Sequence, residues 1–488
     1  ISAADVTTGD YYVTEVEDLR KLKDELMKYE PSEIICNEAF LVSGYDVEDL
    51  KSRLHMSVSS LESHMFDDDG CRRILMRHFK VNTLIGLGVE EFPTGILAAG
   101  ALLQYLYDTQ KTDLEHFTHI SPYLTSKYML LDSSTRRNLE LTETLREKQK
   151  RGSLLWVLDK TKTAMGGRLL RNYIEQPLID KEEMEKRLDA IQELNQDSIS
   201  RDEIREYLNP VYDLERLLSK VTYKTANPRD LIAFRNSLQM LPPIKTVLSG
   251  FQKEELAAIR EEIDGLEDIY QLIDEAIVEE PPISIREGGM IKDQFDETID
   301  HLRAAKHDGK QWLVQLEEED RERTGIKNLK IKKNNVFGYF FEVTNSYKDL
   351  VPEDYIRKQT LANAERYTTP RLKELEDTIL NAEDKLQTLE YDIFCRIRDT
   401  IAQELVRIQN TAKALAKLDV YASLSLVSER NHYVRPKLNE KGVIDIKDGR
   451  HPVVEQMITN DMFIANDTYL DNGSHCISII TGPNMAGK

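Results

Sequence analysis

Residues 372–415 read LKELEDTILNAEDKLQTLEYDIFCRIRDTIAQELVRIQNTAKAL, and this stretch has the cleanest helical periodicity in the sequence. Its apolar residues recur at steps of three and four, the spacing of one face of an α-helix; they are Leu372, Leu375, Ile379, Ala382, Leu386, Leu389, Ile393, Ile397, Ile401, Leu405, Ile408, Ala412 and Leu415. Since no proline interrupts this stretch, the sequence predicts a helix of about 48 residues, which is roughly 70 Å long. Such a helix is longer than one globular domain, so we expect it to act as a lever or spacer.

A second helical run precedes it, with a less regular seam at Phe295, Ile299, Leu302, Lys306, Gly309, Leu313 and Leu316. Lys306 and Gly309 break its apolar character. Between the two runs, LKIKKNNVFGYFFEVTN (residues 329–345) has the aromatic and β-branched residues of two strands around an Asn-Asn turn. The simplest arrangement is a small β-rich module at the tip of two antiparallel long helices.

The flanking regions differ from these helices. Residues 1–112 alternate strand-like runs, near Tyr11 and Ile34, with helical runs at 17–29 and 94–107, which predicts an α/β domain. Residues 120–290 are mainly helical in pattern, with Pro and Gly punctuation, and the chain after about residue 430 is α/β again. The predicted fold class is therefore multidomain, α/β plus all-α.

Composition narrows the function classes. The 488 residues carry a formal charge of −21, which argues against indiscriminate nucleic-acid binding because phosphate neutralisation needs a positive surface. The longest apolar stretch, residues 95–103, is far short of the roughly 20 residues of a membrane span, and no signal sequence is recognisable. The four cysteines have no CxxC spacing that would indicate a metal or redox site. We predict a soluble, cytoplasmic protein with no membrane partner and no metal ligands of its own.

One segment departs from this acidic average. Residues 323–373 contain 11 Lys and Arg against 5 Asp and Glu, a local charge of +6. Lys and Arg position a protein on a nucleic-acid backbone without reading its sequence, and the candidates for such contacts are Lys330, Lys332, Lys333, Arg357, Lys358 and Arg366. Strand alternation prevents Lys332 and Lys333 from facing the same side, so at least one of the six is expected not to contact the polyanion. An ordinary solvated surface is the alternative interpretation.

The last eight residues, TGPNMAGK (481–488), contain the P-loop pattern G-x-x-x-x-G-K after a short apolar strand, SIIT, predicted at 478–481. Glycines let backbone N–H groups surround phosphate oxygens, and Lys488 supplies a cation to the β and γ phosphates. The predicted nucleotide-binding residues are Gly482, Pro483, Asn484, Met485, Ala486, Gly487 and Lys488. The hydroxyl that would bind Mg²⁺ should come after Lys488, so residues 1–488 alone are predicted not to hydrolyse ATP.

The same eight residues resemble the P-loop of the MutS family of DNA mismatch-repair proteins, whose form is TGPNMxGKST. Further segments are similar to that family in its own order along the chain: GLGVEEFP (86–93), LLQYLYDTQ (102–110), DSSTRRNLEL (132–141), RKQTLANAERY (357–367) and GRHPVVE (449–455). The resemblance covers essentially the whole sequence.

The resemblance implies a domain organisation: a connector at 1–112, a helical core at 113–290 that returns at 385–430, levers with a clamp at 291–384, and the start of an ABC-type ATPase domain at 431–488. It also implies a homodimer that closes around mismatched duplex DNA, exchanges ADP for ATP with Mg²⁺, and signals to MutL in the nucleoid. An aromatic residue after GRHPVVE stacks on adenine in that family, and FIAN gives Phe463 this role.

The sequence departs from the family chiefly by omission, since the mismatch-reading domain with its Phe-x-Glu wedge and most of the ATPase domain are not in it. We therefore expect a fragment. Two F-x-E strings, at 295–297 and 340–342, are interpreted as structural, and His451 is expected to make local hydrogen bonds. Two alternatives stay open: a family branch that clamps recombination junctions without reading mismatches, and a long-helix scaffold without enzymatic activity.

Overall fold

The computed structural model describes residues 1–53, 56–111, 114–124, 127–334, 338–458 and 462–481. Over these residues the chain mixes α-helices with small β-sheets, and helices predominate. None of the described helices is both long enough and apolar enough to span a membrane.

Backbone contacts divide the chain into two compact units. Unit 1 comprises Ile1–Thr225, Asn236–Leu266 and Ala402–Lys488, as far as these ranges are described, and unit 2 comprises Ala226–Arg235 and Glu267–Ile401. The finer domain boundaries given above stay predictions.

The helices, in chain order, are α1 (Leu19–Tyr29), α2 (Glu38–Leu41), α3 (Val47–Arg53), α4 (Asp68–His78), α5 (Pro93–Gln110), α6 (Ser133–Asn138), α7 (Leu154–Leu158), α8 (Ala164–Glu175), α9 (Lys181–Gln196), α10 (Ser198–Leu208), α11 (Leu214–Thr222), α12 (Pro228–Leu238), α13 (Leu241–Leu248), α14 (Glu254–Glu262), α15 (Glu267–Ala276), α16 (Glu297–Thr324), α17 (Pro370–Gln403), α18 (Leu405–Arg430) and α19 (Pro452–Met457). The strands are β1 (Ser2–Asp5), β2 (Asp10–Val13), β3 (Glu33–Cys36), β4 (Ser57–Ser60), β5 (Ser121–Pro122), β6 (Lys330–Asn334), β7 (Gly338–Thr344), β8 (Ile356–Thr360), β9 (Ala364–Thr368), β10 (Ile444–Gly449) and β11 (Asn466–Leu470).

The N-terminal region of unit 1 is α/β, as predicted. The expected strands near Tyr11 and Ile34 are β2 and β3, and the expected helices are α1 and α5. Strand β2 pairs antiparallel with β1 and parallel with β5, whereas β3 pairs parallel with β4. Tyr11 and Val13 of β2 pack with Ile96 and Leu103 of α5 in one apolar core.

Helix α18 is the centre of the helical part of unit 1, because α8, α9, α10 and α14 all pack against it. Its buried Asp419 accepts hydrogen bonds from the backbone N–H groups of Lys162 (2.9 Å) and Thr163 (2.7 Å) and from the Thr163 hydroxyl (2.8 Å). A Cβ at Gly166 would lie 2.4 Å from Oδ2 of Asp419, so only glycine permits this approach. A carboxylate on α18 therefore anchors the N-terminus of α8.

A polar junction joins the N-terminal α/β region to α18, within unit 1. Gln409 Nε2 donates to the backbone carbonyl of His116 over 2.8 Å, and Lys413 Nζ lies 2.8 Å from Nε2 of His119. His116 is buried, with Nε2 3.2 Å from the Tyr223 hydroxyl. Burial lowers the pKa of His116 to about 4, so this side chain is neutral near pH 7.

In unit 2, α16 and α17 run antiparallel, and their contacts explain the irregular seam. Lys306 Nζ forms an ion pair with Glu383 Oε1 over 2.8 Å. A Cβ at Gly309 would lie 2.6 Å from Cγ1 of Ile379, so the missing side chain lets the two helices approach closely. The two residues that broke the apolar pattern are thus the ones that α17 contacts with a carboxylate and a bulky aliphatic group.

The prediction of one unbroken helix through residues 372–415 was wrong. Helix α17 ends at Gln403 and α18 begins at Leu405, with Glu404 at φ −94° and ψ 18° between them. The sequence has no glycine or proline here. Packing accounts for the break, because α17 buries one stripe whereas α18 is buried on most sides.

The module between α16 and α17 is a four-stranded antiparallel sheet in the order β6-β7-β9-β8, which confirms the predicted β-rich tip. Phe341 and Tyr367 from the sheet pack with Leu316 of α16 and Leu372 of α17. Gly338 begins β7 at φ +68°, where a Cβ would lie 1.5 Å from Oε1 of Glu376.

Candidate nucleic-acid interface and nucleotide-binding segment

Strand pairing decides which basic side chains share a face of the four-stranded sheet. Side chains alternate between the two faces along each strand. The inner face carries Phe341, Val343 and Tyr367 and packs on α16 and α17. The outer face carries the intervening residues, among them Phe340 and Glu342.

Four residues on neighbouring strands form one row across the outer face: Lys330, Glu342, Arg366 and Gln359. Lys332 lies on the same face, two residues along β6 from Lys330. The structure thus brings together Lys330, Lys332 and Arg366 from the six residues that the sequence indicated.

Glu342 lies between two of these cations. Its Oε1 is 2.7 Å from Lys332 Nζ, and its Oε2 is 3.8 Å from Arg366 Nε. Arg366 Nη1 also donates to Gln359 Oε1 over 2.8 Å, and its guanidinium carbon lies 4.4 Å from the centroid of the Phe340 ring. Arg366 is therefore held on three sides. Phe340, in the second F-x-E string, is 1% exposed and belongs to the sheet.

Lys333 and Arg357 point to the inner face. Lys333 Nζ lies 3.4 Å from Glu383 Oε2 on α17, and Arg357 Nη1 lies 3.5 Å from Glu365 Oε1. The ammonium group of Lys306, and after it that of Lys333, holds the pKa of the Glu383 carboxyl below its usual range. Lys332 and Lys333 thus lie on opposite faces, as the strand alternation required.

Lys358 lies at an irregularity in the sheet. The pairing register between β8 and β9 shifts between Arg357 and Gln359, which makes Lys358 the extra residue of a bulge. Its side chain is exposed. A bulge re-aims the side chains around it, so the simple alternation of faces does not assign Lys358 to either row.

The local charge of +6 overstates the positive surface of the module. Within the described part of residues 323–373, at least seven of the basic residues form an ion pair: Arg323, Lys332, Lys333, Lys348, Arg357, Arg366 and Arg371. Three of the carboxylates, Glu319, Asp320 and Glu383, belong to the long helices and fall outside the counted segment. The outer face nevertheless stays cationic, since Glu342 is surrounded by three basic residues.

The predicted P-loop residues, 482–488, lie outside the described residues, so the structure does not test their binding of a nucleotide. Phe463 is described and is partly buried. The predicted strand at 478–481 was wrong, because no described strand pairs with these residues and Ile479 is 86% exposed. A strand exists only where its backbone groups find partners, and an apolar run alone cannot supply them.

Two residues elsewhere in the C-terminal part of the chain have defined structural roles. His451 caps the N-terminus of α19, since its Nδ1 accepts from the backbone N–H groups of Val453 (3.2 Å) and Val454 (3.3 Å). The expected local hydrogen-bonding role of His451 is therefore confirmed. No sequence signal singled out Arg435. Its Nη1 donates to Asp189 Oδ1 and to Gln192 Oε1 of α9, and both distances are 2.5 Å.

Metal-binding geometry is not found in the described part of the chain, where no group of three or more His, Cys, Asp or Glu side chains could hold a metal ion. The candidate binding surface is the outer face of the sheet, where Lys330, Lys332 and Arg366 lie together.

Comparison with protein families identifies the chain. A model of "MutS domain III" matches residues 134–425, and a model of "MutS domain II" matches residues 1–120. The chain belongs to the MutS family. In MutS terms, the four-stranded sheet and α18 as far as residue 425 lie within the match to domain III, and the α/β region that contains β2 and α5 lies within the match to domain II.

Curated MutS relatives match along the whole chain. The DNA mismatch repair protein MutS of Lachnoclostridium phytofermentans is 64% identical over 488 residues, which are 100% of this chain and 52% of the relative. The proteins of the same name from Ruminiclostridium cellulolyticum and Acetivibrio thermocellus are 50% and 48% identical, over 100% of this chain and 56% of each relative. The chain spans about half the length of the curated relatives that it matches.

Proposed function

We propose that this MutS chain takes part in DNA mismatch repair and that the outer face of its four-stranded sheet contacts the backbone of duplex DNA. The observation that carries the proposal is the cationic row, in which Lys330 and Arg366 lie two strands apart with Lys332 beside them. Two spacings between β-strands amount to about 10 Å, which is the separation of Lys330 and Arg366 across the sheet. Along the axis of a DNA duplex, each DNA strand presents about three phosphates over that distance. Contacts of this kind hold a protein on DNA without reading the sequence.

The repair role rests on family membership. The relatives that match are named DNA mismatch repair proteins, and this favours mismatch repair over a recombination-junction clamp. A scaffold without a ligand is disfavoured by the grouping of three basic side chains around one carboxylate on the outer face, because the excess positive charges repel one another when no polyanion is bound.

The nucleotide is proposed on the P-loop pattern, and the dimer and the partner protein are proposed on the resemblance to the MutS family. Residues 482–488 have the P-loop pattern for ATP or ADP with Mg²⁺, and Phe463 is the candidate for stacking on adenine. A homodimer on mismatched duplex DNA that signals to MutL is the corresponding proposal for the whole protein, in the cytoplasm and at the nucleoid.

The test compares the two faces of the sheet. Lys332→Ala with Arg366→Ala removes two cations from the outer face, whereas Lys333→Ala with Arg357→Ala removes two from the inner face and changes the net charge equally. By fluorescence anisotropy at low salt, the outer pair should weaken duplex binding about tenfold or more, and the inner pair less than about threefold. The weakening should be the same for matched and mismatched duplexes. Equal losses for both pairs, or none for either, would remove this assignment.

A further inference from the structure

Glu342 is a carboxylate in the middle of the cationic row. It faces Lys330 on β6 and Arg366 on β9 through the strand pairing, and its Oε1 lies 2.7 Å from Lys332 Nζ. We propose that Glu342 limits the strength of the DNA contact by competing with backbone phosphate for Lys332 and by leaving a negative charge beside that phosphate. The inference rests on the proposed function of the outer face, and it assigns to one residue the task of keeping that contact weak and reversible.

The geometry makes carboxylate and phosphate alternative partners. Both accept charge-assisted hydrogen bonds from ammonium and guanidinium groups. Lys332 is 51% exposed and ends a flexible side chain, so its ammonium group can turn from Glu342 to an incoming phosphate. Arg366 is 20% exposed and stays in place, because Gln359 and the Phe340 ring also hold it. Binding therefore exchanges the ion pair of Lys332 for a phosphate contact, and leaves the negative charge of Glu342 next to that phosphate.

Fold stability does not account for a carboxylate at this position. Glutamate is depleted in β-strands, and the ion pair of Glu342 with Lys332, whose side chain is 51% exposed, adds little to the stability of the fold. The buried apolar residues of β7 are Phe341 and Val343 on the inner face and Phe340 on the outer face, and Glu342 is not among them. What Glu342 does change is the charge of the outer face, where one carboxylate offsets one of three cations.

The predicted effect of neutralising Glu342 is a gain in affinity. Glu342→Gln keeps the length of the side chain and an acceptor oxygen for Lys332, and removes the charge. Duplex binding by the full chain, measured by fluorescence anisotropy across a salt series, should become about fivefold tighter at low salt, with the plot of log affinity against log salt steeper by up to about one. Glu353→Gln is the matched control, because it removes one negative charge from an exposed loop position of the same module and should leave both quantities unchanged.

The outcomes separate this inference from the proposed function. Tighter, more salt-dependent binding by Glu342→Gln alone supports it. Unchanged or weaker binding by Glu342→Gln overturns it. In that case, a loss of duplex affinity in the double variant Lys332→Ala with Arg366→Ala would still support the outer face as the DNA contact. An equal gain in Glu353→Gln would also overturn it, since net charge would then suffice. Glu342→Met gives a second neutral variant of similar length, to be judged by the same criteria if the amide disturbs the strand.

Discussion

The helical core around α18 and the sheet between the long helices each have a carboxylate that faces several donors, with different consequences. Asp419 is buried, and its donors are backbone N–H groups and a hydroxyl of residues 162–163. Glu342 is partly exposed, and its partners are cationic side chains. Removing the carboxylate of Asp419 leaves buried donors without an acceptor, whereas removing that of Glu342 leaves the exposed ammonium group of Lys332 to solvent. A buried polar group whose hydrogen bonds are all formed stabilises the fold, whereas a surface charge whose ion-pair partner can be replaced is available to bind a ligand.

The largest expected effect is in the core. Asp419→Ala removes the acceptor for the N-terminus of α8, and should lower the free energy of unfolding of unit 1 by about 4 kcal/mol, because buried N–H groups lose their partner. Urea unfolding followed by circular dichroism measures this loss. Asp419→Asn keeps one acceptor oxygen and should lose less. An unchanged midpoint for Asp419→Ala would contradict the anchoring role of this carboxylate.

Acid should weaken the same unit through His116. Its pKa is lowered by burial from 6.5 to about 4, so the folded chain binds fewer protons than the unfolded chain between these values. The stability that a neutral His116 provides is present above about pH 6.5 and is lost as the pH falls toward 4, by about 3 kcal/mol at most. Urea midpoints measured from pH 7 to pH 4.5 test this dependence. His116→Gln should make the dependence shallower, and an identical slope in that variant would exclude His116 as its source.

A smaller effect is expected where the helices of unit 2 meet. Gly309→Leu places a side chain against Ile379, where a Cβ alone would come within 2.6 Å, and should cost about 2 kcal/mol through overpacking. Hydrogen exchange of α16 and α17 should become faster in this variant. Gln311→Leu, at an exposed position of α16, is the matched control and should leave the exchange unchanged. Equal protection in both variants would show that the helices do not need the close approach at Gly309.

The smallest effect on stability is expected on the outer face of the sheet. Lys332→Met removes one exposed ion pair and should change the free energy of unfolding by no more than about 0.5 kcal/mol. Its duplex affinity at low salt should nevertheless fall about threefold or more. A large loss of stability together with the loss of affinity would show that Glu342 and Lys332 are structural groups, like Asp419 in the core. The two regions would then not differ in the role of their carboxylates.

Local patterns predicted much of this fold. The spacing of the apolar residues from Leu372 and Ile379 onward predicted helix α17, and the aromatic and β-branched residues of 338–344 predicted strand β7. The patterns did not predict the break at Glu404 or the absence of a strand at 478–481, because packing and pairing partners decide both. A count of charges along the sequence could not include Glu383 or Glu319, which reach the basic segment only through the antiparallel helices.

The candidate site was predicted only in part, because strand alternation is a local pattern whereas the grouping of side chains from different strands is not. Strand alternation separates Lys332 from Lys333 without any structure. The grouping of Lys330, Lys332 and Arg366 requires the order β6-β7-β9 and its register, which depend on how a hairpin and a later strand pair across the sheet. Glu342 was assigned a structural role because an F-x-E string, viewed alone, does not reveal the cations on neighbouring strands.

The most direct test of the outer face as the DNA contact is the protection of single lysines from acetylation by bound duplex DNA. Lys330 and Lys332 lie on the outer face, and Lys333, their neighbour in sequence, lies on the inner face and is 41% exposed, so it also reacts. With saturating duplex at low salt, mass spectrometry of the labelled peptides should find acetylation of Lys330 and Lys332 slowed about fivefold or more, and that of Lys333 unchanged. Equal protection of Lys333, or no protection of Lys330 and Lys332, would show that the outer face is not the surface that contacts DNA.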